Sequence, residues 1–382
     1  MTLKFFSFII LLTSSIFSQS LDEKIETGIR HIYNIEFEKA EKIFREILAD
    51  YPENPSGRFF LAMVDWWKIL LDLDNESYDQ IFFQKIEDVI FHCNQILKKD
   101  KKNVDALFFK GGAIGFRGRL RALRDSWLKA ADDGREALPI VEYASKLNPD
   151  NQDVQLGFGI YNYYASVIPD QYPYIKPLMI FFPKGDKQKG IEQLKRTAEQ
   201  GKYAKYEAQY FLMTLYFNYE KDFPAALNYA QNLTNLFPRN PSFQRWLGRI
   251  YVRLGNWKIA DSIFSNYIKK SDSNFYGFNF PFGLRESNYY VAVHLKNEQL
   301  FDSSKYHFEK CIEISKQIDK EEESGFMINS FIYLAQIAEE KGEINNSIEY
   351  YRRVLRMRDW NNSHQLAEVN IQRLESLVNL PR

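Results

Sequence analysis

The chain has 382 residues, 45% apolar and 26% charged, a globular composition and not that of a disordered segment. Lysine plus arginine and aspartate plus glutamate both number 50, so the formal net charge is zero. That balance lacks the global basic field of a general nucleic-acid binder.

Residues 1–20 read as a secretory signal. Lys4 is the only charge before Asp22, Phe5 to Phe17 forms a short apolar run, and Ser18-Gln19-Ser20 offers small residues at cleavage spacing. The run is shorter than the ~20 apolar residues of a transmembrane helix. No Cys follows it, which speaks against a lipoprotein anchor. The expected location is the periplasm or outer envelope.

From residue 21 a two-helix unit recurs. In the clearest copy, Pro241 to about Asn274, Leu247, Gly248 and Tyr251 lie on a first helix and Leu254-Gly255-Asn256 makes the turn. Ala260, Phe264 and Tyr267 follow at i, i+4 and i+7 on one face of a second helix. Gly248 and Ala260 let the two helices approach, and the aromatics fill the space beside them. Second-helix positions 40, 86, 137, 190, 226, 260, 304 and 347 set the register, and only the step from 226 to 260 is 34 residues without an insertion. Residues 362–377 read as a closing helix, capped by Asn362 or Ser363, with Leu366, Val369, Leu374 and Leu377 sealing the last unit.

Gly111, Gly115 and Gly118 recur at i, i+4 and i+7 and mark close helix packing; no Gly-Lys-Ser/Thr follows to make a phosphate loop. Arg117, Arg119, Arg121 and Arg124 read as a solvated face paired with Asp125, Asp132 and Asp133, the alternative being an anion site, since Arg forks suit carboxylate and phosphate. Cys93 and Cys311 fall in the slot held elsewhere by Ala144 and Val354, as small buried hydrophobes.

The step from 137 to 190 carries 19 extra residues, roughly Val167 to Gly185. Pro169, Pro173, Pro177 and Pro183 oppose a long helix there. Tyr172, Tyr174, Phe181 and Phe182, with Leu178 to Ile180, make the segment too apolar for a free loop. It is expected to cover part of the solenoid; the alternative is a surface for a partner or a membrane. In a second insertion, Ser273 to Gly283, the alternation Phe278, Phe280, Phe282 would place three rings on one side of an extended strand. It reads either as packing on a neighbouring helix pair or as an aromatic ligand platform.

The repeating residues resemble the tetratricopeptide repeat, a 34-residue unit with a small residue and an aromatic in helix A, then Ala, an aromatic and a terminal Pro in and after helix B. The first copy shows Gly28, Ala40, Phe44 and Pro52; others show Ala137, Ala144 and Pro149, or Ala226, Ala230 and Pro238, or Ala292, Ser304 and Phe308, or Ala335, Ser347 and Tyr351. The resemblance implies an all-α, right-handed superhelical solenoid of antiparallel helix pairs. It would form one unit over residues 21–382, with about eight pairs and a C-terminal capping helix. It also implies a non-catalytic scaffold holding a protein or peptide in a concave groove lined by the first helices. Matched groove positions are Arg245, Arg249 and Val252 with Arg253 beside them, Ile160 and Tyr163, Phe211 and Asn218, and Tyr289 and Lys296. Arg245, Arg249 and Arg253 form one basic stripe at i, i+4 and i+8. The Lys/Asn carboxylate clamp of some members is not reproduced.

The five histidines form no metal pair, and no nucleophile elbow, dinucleotide fingerprint or kinase signature is present. Neither enzyme activity nor a cofactor, a metal or a nucleic-acid partner is therefore expected. Two alternatives to a scaffold remain: a small-molecule or lipid carrier using the aromatic insertions, and peripheral membrane attachment through Leu178 to Phe182.

Overall fold

The computed structural model describes residues 20–378, apart from 172, 174, 175 and 177–182. The described residues are helical and contain no strand. Eight consecutive helix pairs are followed by a last helix. The pairs are α1 (Leu21–Tyr33) with α2 (Phe37–Asp50), α3 (Ser56–Leu71) with α4 (Asp79–Lys99), α5 (Val104–Leu123) with α6 (Trp127–Leu147), and α7 (Gln155–Gln171) with α8 (Lys187–Gln200). Next come α9 (Lys205–Leu215) with α10 (Phe223–Leu236), α11 (Pro241–Arg253) with α12 (Trp257–Asp272), α13 (Pro281–Asn297) with α14 (Phe301–Ile318), and α15 (Gly325–Glu340) with α16 (Ile344–Leu355); α17 (Ser363–Val378) ends the array. Each helix packs on its neighbours in the chain, the arrangement of an all-α solenoid.

Short polar side chains in the connections start the helices. Asn103, Asp222, Asn240 and Asn256 each accept a hydrogen bond from a first-turn N–H of the helix they precede. Ser20 and Glu23 form a reciprocal capping box at α1. The second-helix register holds throughout: Ala40, Ile86, Ala137, Gly190, Ala226, Ala260, Ser304 and Ser347 are all buried. So are Cys93 and Cys311, whose thiols burial pushes up to about 12 and about 11, where they are inert. The small residue of helix A makes room for the aromatic of helix B. A Cβ on Gly28 would sit 2.4 Å from the Phe44 ring, and one on Gly248 2.5 Å from Phe264.

The solenoid does more than stack on its neighbours, because the first pair docks on the fifth and sixth. Tyr33 packs against Phe237 and Phe243, with ring centroids 5.5 and 6.3 Å apart. The buried Asn240 uses its carbonyl to cap α11 and donates from Nδ2 to the Tyr33 carbonyl at 2.8 Å. Arg239 N–H donates to Asn34, the Tyr203 hydroxyl to Asp22, and Arg30 to the Tyr206 hydroxyl. Helices α1 to α11 therefore close into a ring, and α13 to α17 continue as an arm.

The second insertion belongs to this closure. It is not an extended strand: Pro281 opens α13 by supplying the fixed φ of a first helical turn, which places Phe282 inside the helix. Phe278 is fully buried on Tyr267, and Gly277, at φ +88°, turns the chain where a side chain would meet Pro241. Tyr276 meets Phe37 of the first pair edge-on at 6.0 Å, so the segment packs on a helix pair 240 residues earlier in the chain.

Two other expectations change. Helix α7 runs on to Gln171 with Pro169 inside it, so the start of the first insertion is helical. In α17, Leu374 and Ala367 seal the last pair together with Ile371, whereas Leu366, Val369 and Leu377 are exposed on the other face. Residues 1–19, and Tyr172, Tyr174, Phe181 and Phe182 with Leu178 to Ile180, lie outside the described residues.

Candidate functional site

Inside the ring, the first helices of the first five pairs turn toward one another. Their facing side chains enclose a half-open well of about 770 Å³, within the range of small-molecule sites. Its wall is largely aromatic: Phe59, Phe60, Trp66 and Trp67 from α3, Phe116 from α5, Tyr161 and Tyr164 from α7, and Tyr203, Tyr210 and Phe211 around α9. Leu123 and Trp127, 41% and 42% exposed, also line it and give its open edge an apolar rim.

The glycines of α5 explain part of this space. Gly111 and Gly118 serve close packing, since a Cβ there would sit 2.6 Å from Val141 Cγ2 and 3.0 Å from Asp133 Cβ. Gly115 does not: it lines the well, and a Cβ on it meets nothing within 4 Å. Gly115→Ala therefore removes a helix-interior glycine without a clash. It is expected to raise stability by about 0.5–1 kcal/mol in urea unfolding; a loss would show that the well tolerates no added methyl.

One ion pair crosses the apolar wall. Arg119 donates from Nη1 to Glu207 Oε1 at 2.5 Å, and the Tyr33 hydroxyl donates to Glu207 Oε2 at 2.8 Å. The Arg119 guanidinium lies against two rings, 4.7 Å from the Trp66 centroid and 4.4 Å from that of Phe211. The arginines of α5 are thus not a solvated face. Arg117 is buried against Asp133, Glu87 and Glu136, Arg121 also binds Asp133, and Arg124 forks onto Asp79. Of the expected partners, only Asp133 takes that role.

The repeat geometry now stands beside a family comparison: residues 219–260, running through α10 and α11 into α12, match the family model described as Tetratricopeptide repeat. That stretch is a tetratricopeptide repeat. Among solved structures, the chain is similar to pilF of Pseudomonas aeruginosa, at 11% identity over 70% of this chain and 97% of that one, TM-score 0.43. It is also similar to the C-terminal part of a TPR repeat-containing protein from Cytophaga hutchinsonii, at 14% identity over 80% and 98%, TM-score 0.38. A third is the human IFIT1 dimer with PPP-AAAA, at 14% identity over 88% and 73%, TM-score 0.37. No curated protein matches the sequence. The repeat fold is in general a non-catalytic one that mediates protein partner binding.

The groove positions inferred from the family divide. Ile160, Phe211 and Asn218 line the well. Tyr163 is instead fully buried one step round α7, with its hydroxyl donating to Glu220 at 2.7 Å. Tyr289 packs among Phe308, Phe326 and Tyr333 in the arm, and Lys296 lies over Tyr333. The basic stripe is largely consumed within the fold. Arg245 donates from Nε to Glu286 at 2.8 Å, and Arg249 forks onto both oxygens of the same buried carboxylate. Arg253 is exposed and lies 5.0 Å over the Phe223 ring. Of the second insertion, Phe278 is buried, Phe280 packs on the main core and Phe282 lies under Arg285, so none of the three forms a free platform. Sequence reasoning named Arg119 but missed Glu207, Trp66 and Trp67 as its companions in the site, because their meeting depends on ring closure.

Among the described residues no helix is long and apolar enough to cross a membrane.

Proposed function

We propose that this is a non-catalytic scaffold of the bacterial cell envelope, exported by its N-terminal signal, that holds an apolar segment of a protein partner in the aromatic well. The observation that carries the reading is the convergence of five first helices on one well with an apolar rim at Leu123 and Trp127. The test is a photocrosslinking residue at position 123 in the native cell, with and without Gly115→Trp. A partner captured by the otherwise native chain and lost when the well is filled supports the reading. Undiminished capture places the partner elsewhere on the surface, and no capture counts against a scaffold.

A second reading is favoured by the closure of the ring. A tetratricopeptide groove left open suits an extended peptide, whereas a walled well suits a small apolar molecule. The chain would then be a carrier, with its ligand held by the first helices and not by the aromatic insertions.

A further inference from the structure

Resting on the carrier reading, we infer that the well selects an electrically neutral, largely apolar compound that presents a carbonyl-type acceptor to Arg119. The argument starts from donors and acceptors. Glu207, almost fully buried, already accepts from Arg119 on one oxygen and from Tyr33 on the other. Arg119 has five N–H donors, and the described residues supply an acceptor for one of them. Its guanidinium lies against the Trp66 and Phe211 rings and lines the well. The larger unused capacity of this pair is donor capacity, and the complementary group on a ligand is an acceptor.

Charge then decides between acceptors. Arg119 and Glu207 sum to zero, and the surrounding rings keep the local dielectric low. A carboxylate reaching Arg119 would come close to the Glu207 carboxylate, and that repulsion is poorly screened. An ester, amide or ketone oxygen takes the same N–H donors without it. Bulk is met by the aromatic walls; Asp153, the other carboxyl lining the well among the described residues, is already taken by the N–H groups of Tyr203 and Ala204.

Four of the six tryptophans, Trp66, Trp67, Trp127 and Trp246, line the well, so occupancy by a polyene can be read as sensitised emission. The probes are cis-parinaric acid and its methyl ester, titrated into the protein at pH 8, where the acid is ionised. The ester is expected to bind saturably and roughly tenfold more tightly than the acid. Glu207→Gln, which keeps one amide oxygen to accept from Arg119 and an NH2 from which the Tyr33 hydroxyl can accept, but leaves Arg119 without its counter-ion, is expected to reverse the order. Gly115→Trp, which fills the well from a position with open space, is expected to abolish both signals. Acid binding as tight as ester binding in the unmodified protein overturns the charge argument and leaves the carrier reading standing. Binding of neither probe, or binding undisturbed by Gly115→Trp, overturns both.

Discussion

Glu286→Ala is expected to destabilise the protein by about 3–5 kcal/mol, among the largest effects of any single truncation. Glu286 is 1% exposed and receives three guanidinium hydrogen bonds, one from Arg245 and two from Arg249. Removing it strands Arg249 inside the fold beside Trp246, with no carboxylate to offset its desolvation. Two cations also sit side by side on α11 once their shared anion is gone. Burial alone would raise the Glu286 carboxyl; the adjacent Arg249 and Arg245 outweigh it and hold the group below its usual range. The folded-state value thus lies under the unfolded one. The stabilisation is complete above the unfolded carboxylate range and disappears as pH falls through the folded value. Urea unfolding at pH 7 and along an acid series measures both. The variant should lose several kcal/mol at neutral pH and show a correspondingly flatter acid limb. A loss under 1 kcal/mol would mean the arginines find solvent, and that the pair is a surface feature.

Asn240→Asp is expected to cost about 3 kcal/mol and to do so at the ring closure. Asp is as good an N-cap as Asn, so α11 keeps its first-turn hydrogen bonds. What changes is the other end of the side chain. The Nδ2 donor aimed at the Tyr33 carbonyl becomes an anionic oxygen facing another oxygen, at a site with no exposed surface. Hydrogen exchange separates this from general destabilisation: amides of α1 should lose protection while those of α15 and α16 keep theirs. Equal stability of the variant and the parent would show that the first pair is held by its apolar contacts alone.

These two sites mark how far the residues themselves could be read. Helix pairing was legible because a solenoid writes its core at fixed spacing. Every second-helix anchor from Ala40 to Ser347 is buried, and the sixteen-residue step from Gly28 to Phe44 recurs from Gly248 to Phe264 as a direct contact. The same periodicity placed Arg245 and Arg249 on one face, and it did so correctly. It had no means of showing that Glu286, some forty residues on, lies opposite them. Spacing also assigned Gly115 the packing role of Gly111 and Gly118, although one turn of helix separates a glycine under Val141 from one whose Cβ would meet no neighbour. The alternation of Phe278, Phe280 and Phe282 carried a strand's period, but Pro281 is a helix starter, and the local rule prevailed. The well itself was not legible, since Trp66 of α3, Arg119 of α5 and Phe211 of α9 lie far apart in the sequence and share one wall only in the folded chain.

That closure changes the kind of object the protein is. In a one-dimensional array, stability is a sum over units and their nearest interfaces, folding can begin anywhere, and end units can be trimmed one at a time. Joining residue 33 to residues 237–243 adds contacts about 200 positions apart, at a loop-closure cost that grows only as the logarithm of that distance. The ring thereby acquires all-or-none character and a slow, high-contact-order step, while the arm from α13 onward keeps the additive behaviour of a linear repeat. One chain then holds two folding regimes, and the first helix, ordinarily a dispensable end cap, becomes the keystone of eleven.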